Sequence, residues 1–183
     1  VTSMERLLEA AREADTLVMI DMESSPYVDP TLRVFHELRT RHQRVGVALQ
    51  AYLRRTPQDV DRLPPGSIVR MVKGAYLEPP EIAYPSRRDV DAAFARLTAT
   101  LLARGHTVHV ATHDPRLLEG AIAYVTRRGL PWSRIELQML YGIRRDLQLR
   151  LAGDGYPVRV YVPYGTEWYP YLTRRLAERP ANM

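Results

Sequence analysis

The sequence contains no cysteine. That absence excludes disulfides, thiolate metal sites and cysteine nucleophiles, and it suits a reducing compartment. Long apolar runs are missing too. The longest reach about six residues, well short of the ~20 that a membrane-spanning helix needs. No signal-peptide pattern stands at the start, and the first residue is Val rather than Met, which reads as a fragment boundary. There is no phosphate-binding P-loop and no Gly-x-Ser-x-Gly elbow for a nucleophilic serine. A net charge of +5 would invite nucleic acid if it were concentrated in a basic stripe with aromatics. Here Arg alternates with Asp and Glu, as at 59–62 and 87–91, in the manner of solvated helix faces. Nucleic acid is set aside as a partner.

What is present is a chain of 183 residues, 45% hydrophobic, enough for one globular domain over 1–183. Six short runs rich in Val, Ile, Leu and Tyr occur at 16–21, 45–52, 68–72, 107–112, 135–140 and 158–162. Their length and near-continuous apolarity predict strands of a parallel sheet buried on both faces. Helical spacing fills the intervals at 4–14, 30–42, 89–104, 115–128, 144–152 and 168–178. Asp29-Pro30 and Asp114-Pro115 read as helix starts, and Gly105 and Gly129 as stops. Strict alternation of strand and helix leaves two architectures, a doubly wound sheet and a (βα)₈ barrel. No Gly-x-Gly-x-x-Gly follows the first strand.

Polar residues gather where the strands end: Asp21 and Glu23, Gln50 and Tyr52, then Arg70, Lys73 and Gly74. The same holds for Thr112, His113 and Asp114, for Gln138 beside Leu140, and for Tyr161 and Tyr164. Barrel enzymes carry their chemistry at that face, so the α/β reading settles on the (βα)₈ TIM-barrel family. About six of the eight units are present, and the shortfall falls on the N-terminal side of a fold that typically takes ~250 residues.

Arg70 lies inside an otherwise apolar strand, and a lone charge there needs a partner or a job. Lys73 follows it, and Gly74 allows close backbone approach to a ligand. Asp21 serves either as a base or as the group that orients a nearby Arg, and the second role is the plainer one. It is not paired with Glu23. His109 and His113 do not make a metal site, and none is expected. Arg174 and Arg175 are adjacent guanidiniums on the last helix, with Tyr171 and Glu178 on the same face. Two such forks form a receptor for a carboxylate or phosphate. A pocket of Arg, Lys, Gln, Tyr and Gly with no nucleophile suits a cofactor that carries the reaction itself.

These motifs resemble a known family. Ile20-Asp-Met-Glu23, Val47-Ala-Leu-Gln-Ala-Tyr52, Val69-Arg-Met-Val-Lys-Gly-Ala-Tyr76, Ala111-Thr-His-Asp114, Leu137-Gln-Met-Leu-Tyr-Gly142, the stretch 158–165 and the stretch 171–182 are similar to proline dehydrogenase, a flavoenzyme with a (βα)₈ barrel. Glu78-Pro79 and Trp168-Tyr-Pro-Tyr171 look most like the short, monofunctional bacterial members. The resemblance implies FAD and the oxidation of L-proline to 1-pyrroline-5-carboxylate by hydride transfer to flavin N5. It further implies a quinone acceptor and a place in the cytoplasm, at most peripheral to the inner membrane. It casts Arg174 and Arg175 on the substrate carboxylate, Tyr161 and Leu140 on the proline ring, Asp21 as orienter of the charged network, and Arg70 beside N5. Gln50, Val72, Lys73, Gly74, Ala75, Thr112, His113, Gln138 and Glu178 would line the FAD, with Arg88 a candidate for its pyrophosphate. The family's first two strands, with a substrate-side Lys and an acidic partner for Arg174, have no counterpart here, nor does its final segment. An inactive barrel fragment acting as a scaffold, and a sugar-phosphate barrel enzyme clamping phosphate with Arg174 and Arg175, are the alternatives.

Overall fold

A computed structural model of the chain describes residues 2–166 together with Tyr169 and Thr173. Six strands form one sheet: β1 (Val18–Ile20), β2 (Val45–Gln50), β3 (Ile68–Val72), β4 (Thr107–Ala111), β5 (Ile135–Leu140) and β6 (Val158–Tyr161). Every pairing is parallel, and the spatial order repeats the chain order from β1 to β6. That order decides between the two architectures. A doubly wound sheet reverses direction at a switch point, and this one never does. Crossovers between parallel strands are right-handed as a rule, so a one-way order places all the helices on one face and leaves the other face to the interior of a barrel-type sheet. Among the described residues, β1 and β6 are the sheet's two edges.

The helices are α1 (Thr2–Glu13), α2 (Val28–Arg39), α3 (Thr56–Asp61), α4 (Arg87–Ala103), α5 (Pro115–Arg128) and α6 (Arg145–Gly153). One core lies between them and the sheet. Val45, Val47, Val69, Met71, Val108 and Val110 are fully buried from the strand side, with Phe35, Leu38, Leu101 and Leu118 facing them from the helices. Because side chains alternate along a strand, the residues between these point to the opposite, concave face. Register aligns them across the sheet: Ala48 with Arg70, Arg70 with His109, His109 with Glu136, and Gln138 with Arg159.

The expected helix ends hold best where capping chemistry is strongest. Asp114 accepts the Arg116 N–H at 3.1 Å to start α5, and Gly129 ends it at φ 60°. α2 differs, because a 3₁₀ turn over Ser25–Tyr27 feeds straight into Val28. Asp29 therefore lies in the first turn rather than at the cap, and its carboxylate pairs with Arg55 at 2.5 Å. α4 starts at Arg87 because the Ser86 hydroxyl takes the Asp89 N–H at 3.4 Å. The helix expected at 168–178 lies outside the described residues.

Candidate active site

A cavity of about 430 Å³ opens at the C-terminal ends of the six strands. Asp21 and Glu23 border it from beyond β1, and Gln50 from the end of β2. β3 and the turn after it contribute Arg70, Val72, Lys73, Gly74 and Ala75. Thr112 and His113 follow β4, Gln138 and Leu140 come from β5, and Tyr161 ends β6. The structure thus gathers twelve of the sixteen expected site residues around one cavity, with Glu23 beside them. Arg174, Arg175 and Glu178 lie outside the described residues. Arg88 is the exception. It borders a second cavity with Arg87, Asp91, Arg116 and Leu117, because the early start of α4 carries it onto that helix's first turn.

Arg70 has both a partner and a direction. Its Nε donates to Gln138 Oε1 at 2.9 Å, and its Nη1 donates to the Asp21 carboxylate. Asp21 is 62% exposed and Arg70 only 18%, so the pair leads from the barrel interior to the mouth. Glu23 borders the same cavity with a different partner, accepting the Tyr76 hydroxyl, while its backbone carbonyl accepts Gln50 Nε2 at 2.8 Å. Glu78 then accepts both the Ser25 N–H at 2.7 Å and the Ser25 hydroxyl at 2.8 Å. The loops after β1 and β3 are tied together across β2 by these contacts.

Lys73 is the only lysine in the sequence. Its Nζ lies 2.5 Å from Asp91 and 3.6 Å from Asp114, so two carboxylates hold it. Asp91 also reaches Arg116 at 3.7 Å, which joins the walls of the two cavities through one ion-pair chain. Arg116, aided by the backbone and by Lys73, holds the Asp114 carboxyl down to about 2. His113 Nε2 accepts the Leu140 N–H at 2.8 Å. In the neutral ring that bond leaves the proton on Nδ1 and fixes the imidazole against β5.

Gly74 is required by its surroundings as much as by any ligand. It sits at φ 117°, and a Cβ there would lie 2.2 Å from Tyr52 Cδ1. The ring of Tyr52 fills the space that a side chain would take. The floor between the polar groups is apolar, built by Met22, Ala48, Ala111 and Met139.

Three contributors to the interior were not expected as site residues: His109, Glu136 and Arg159. Gln138 Nε2 donates to Glu136 Oε1 at 2.7 Å and lies 2.9 Å from His109 Nδ1. Arg159 Nε donates to the same Glu136 oxygen at 2.7 Å. Burial works to raise the Glu136 carboxyl, but its bonds from Arg159 and Gln138 hold it below its ordinary range. Burial pushes His109 the other way, below the usual imidazole range, with Arg70 and Arg159 adding to the effect against Glu136. The available signal was the period of two along each strand, which puts Glu136 and Gln138 on the concave face. No group of three or more metal-ligating side chains occurs among the described residues.

The chain matches the proline dehydrogenase family over residues 2–183. It is 45% identical over 187 residues to the proline dehydrogenase of Deinococcus radiodurans, covering 100% of this chain and 60% of that protein. It is 40% identical over 182 residues to proline dehydrogenase 2 of Bacillus subtilis, covering 99% and 60%. The chain therefore spans about 60% of the length of these relatives. Among solved structures, it superimposes on proline utilization A from Bdellovibrio bacteriovorus inactivated by N-propargylglycine, with a TM-score of 0.89 and 30% identity over 97% of this chain and 21% of that one.

Proposed function

The chain belongs to the proline dehydrogenase family, and from that premise we propose that the protein oxidises L-proline to 1-pyrroline-5-carboxylate with FAD bound at the strand-end cavity. The observation that carries this is Arg70, fixed from two sides and facing a cavity with an apolar floor. The residues present fit a flavin. A planar ring with apolar faces and a polar edge needs apolar walls, amide partners and one cation. Ala48, Val72, Ala111 and Met139 supply the first, Gln50 and Gln138 the second, and Arg70 the third. The cavity volume falls in the range of small-molecule sites, ~300–1,000 Å³.

FAD supplies the acceptor for a hydride leaving the substrate carbon. The chain's own residues do the rest. Arg70 would supply positive charge to a bound flavin that accepts electrons, and Asp21 and Gln138 already hold that guanidinium in place. Lys73, Gly74, Ala75, Thr112 and His113 would hold the cofactor together with Glu178, and Arg88 remains a candidate for its pyrophosphate. Leu140 and Tyr161 would pack on the proline ring. Arg174 and Arg175 would clamp its carboxylate and so hold the adjacent ring carbon toward the flavin. We take the electron acceptor to be a quinone, met in the cytoplasm or at the inner membrane surface. No helix among the described residues is long and apolar enough to cross a membrane.

The test is a product assay on the full-length protein. With L-proline and a soluble quinone analogue, it should form pyrroline-5-carboxylate, which aminobenzaldehyde traps as a coloured adduct. A flavin-loaded protein that forms none would refute the proposal.

A further inference from the structure

Below the cavity, the concave face carries charge where a barrel interior is ordinarily filled by branched apolar residues. Gln138 stands at the centre of that charge and is 7% exposed. Its Oε1 accepts from Arg70 Nε at 2.9 Å, and its Nε2 donates to Glu136 Oε1 at 2.7 Å. The two ends of an amide have nearly the same shape and opposite polarity. Arginine can only donate and a carboxylate can only accept. A single orientation of the Gln138 amide satisfies both neighbours.

We propose that Glu136 is a positioning residue for the site: it turns the Gln138 amide so that its carbonyl faces β3, and thereby aims the Arg70 guanidinium into the cavity. Arg159, at the sheet edge, neutralises the Glu136 carboxylate through its 2.7 Å bond. His109, 6% exposed, supports the same orientation by accepting from Gln138 Nε2 through Nδ1, which requires the proton on Nε2. The groups facing His109 are Glu136 from β5, Arg70 from β3 and Arg159 from β6. A proton on Nδ1 would displace the Gln138 amide and turn the imidazolium toward Glu136, 3.8 Å away. The effect on flavin chemistry rests on the function proposed above, whereas the positioning of Arg70 does not.

The experiment is nitrogen-15 NMR on the full-length protein without substrate, reading the Arg70 Nε–H and the two ring nitrogens of His109. In the unaltered protein, the Arg70 Nε–H should exchange slowly with solvent, and His109 Nδ1 should be unprotonated. Glu136→Leu removes the acceptor that orients the amide, so Arg70 Nε–H exchange should accelerate about tenfold, the worth of one hydrogen bond. Glu136→Gln keeps an acceptor oxygen and should restore slow exchange. A folded Glu136→Leu protein with unchanged Arg70 exchange would overturn the proposal. Gln138→Glu gives an independent reading should Glu136→Leu fail to fold. It sets two carboxylates side by side, so His109 should take up a proton and titrate about one unit higher. A His109 titration unmoved by Gln138→Glu would equally overturn it. Because these readings follow Arg70 and His109 rather than flavin reduction or product, a negative result here is distinct from a failure to oxidise proline.

Discussion

Arg70 shows how one side chain ties strand to site. A guanidinium in an apolar strand is costly unless paired, and its partners at the cavity wall are Gln138 on β5 and Asp21 just beyond β1. Asp21→Asn keeps the shape and removes the charge. Steady-state kinetics should show turnover falling about ten- to a hundredfold, the worth of a hydrogen bond between charged groups. The unfolding midpoint should barely move, because Asp21 is 62% exposed. Gly74 behaves oppositely. Gly74→Ala combines a φ of 117° with a Cβ inside the Tyr52 ring. Denaturant titration should show a loss of about 1–3 kcal/mol, the range for strained backbone. His109 and His106 are both held below the ordinary imidazole range, chiefly by burial. Below pH ~6.5 the unfolded chain binds protons that these folded side chains refuse, so stability should fall as pH drops through that value. Replacing His109 by a neutral residue should flatten this slope in a pH series of unfolding curves.

At the scale of elements, α5 is the best-defined piece. Its Asp114 cap accepts the Arg116 N–H and pairs with Arg116 and Lys73. The folded carboxyl lies at about 2, below its ordinary 3.8. Its contribution is therefore fully present above pH ~4 and lost as pH falls toward 2. Asp114→Ala should cost about 1 kcal/mol at neutral pH, the usual worth of an N-cap, and the cost should vanish in acid. Both the Asp-Pro start and the glycine stop of this helix are local chemistry, which is why the sequence displays them. α3 carries only a proline near its start. At six residues it is too short for a hydrophobic period, and it is held by burial of Thr56 and Val60 rather than by pattern. The strands were legible because apolar runs of five or six residues survive without context. The Gln138–Glu136–His109–Arg159 cluster was not, because register between strands is a tertiary property. The position of Arg88 was not legible for a similar reason: α4 starts two residues earlier than its spacing suggests, which sets Arg88 on the first turn beside the second cavity.

Among the described residues, the chain forms a barrel-type sheet of six strands with edges at β1 and β6. Arg159, 67% exposed, stands on one edge while carrying half of the Glu136 ion pair. The chain spans 60% of the length of its relatives. Unpaired strand edges invite pairing with another chain, so this 183-residue chain alone should elute in gel filtration as oligomers or aggregates. A sharp monomer peak would show the edges to be protected. The proposed reaction needs a flavin in the strand-end cavity that proline reduces. The most direct measurement is the visible absorption spectrum of the full-length protein, recorded without oxygen before and after L-proline is added. Oxidised-flavin bands should bleach on addition and return with a quinone. A protein that purifies folded but colourless, or whose flavin bands ignore proline, would contradict it.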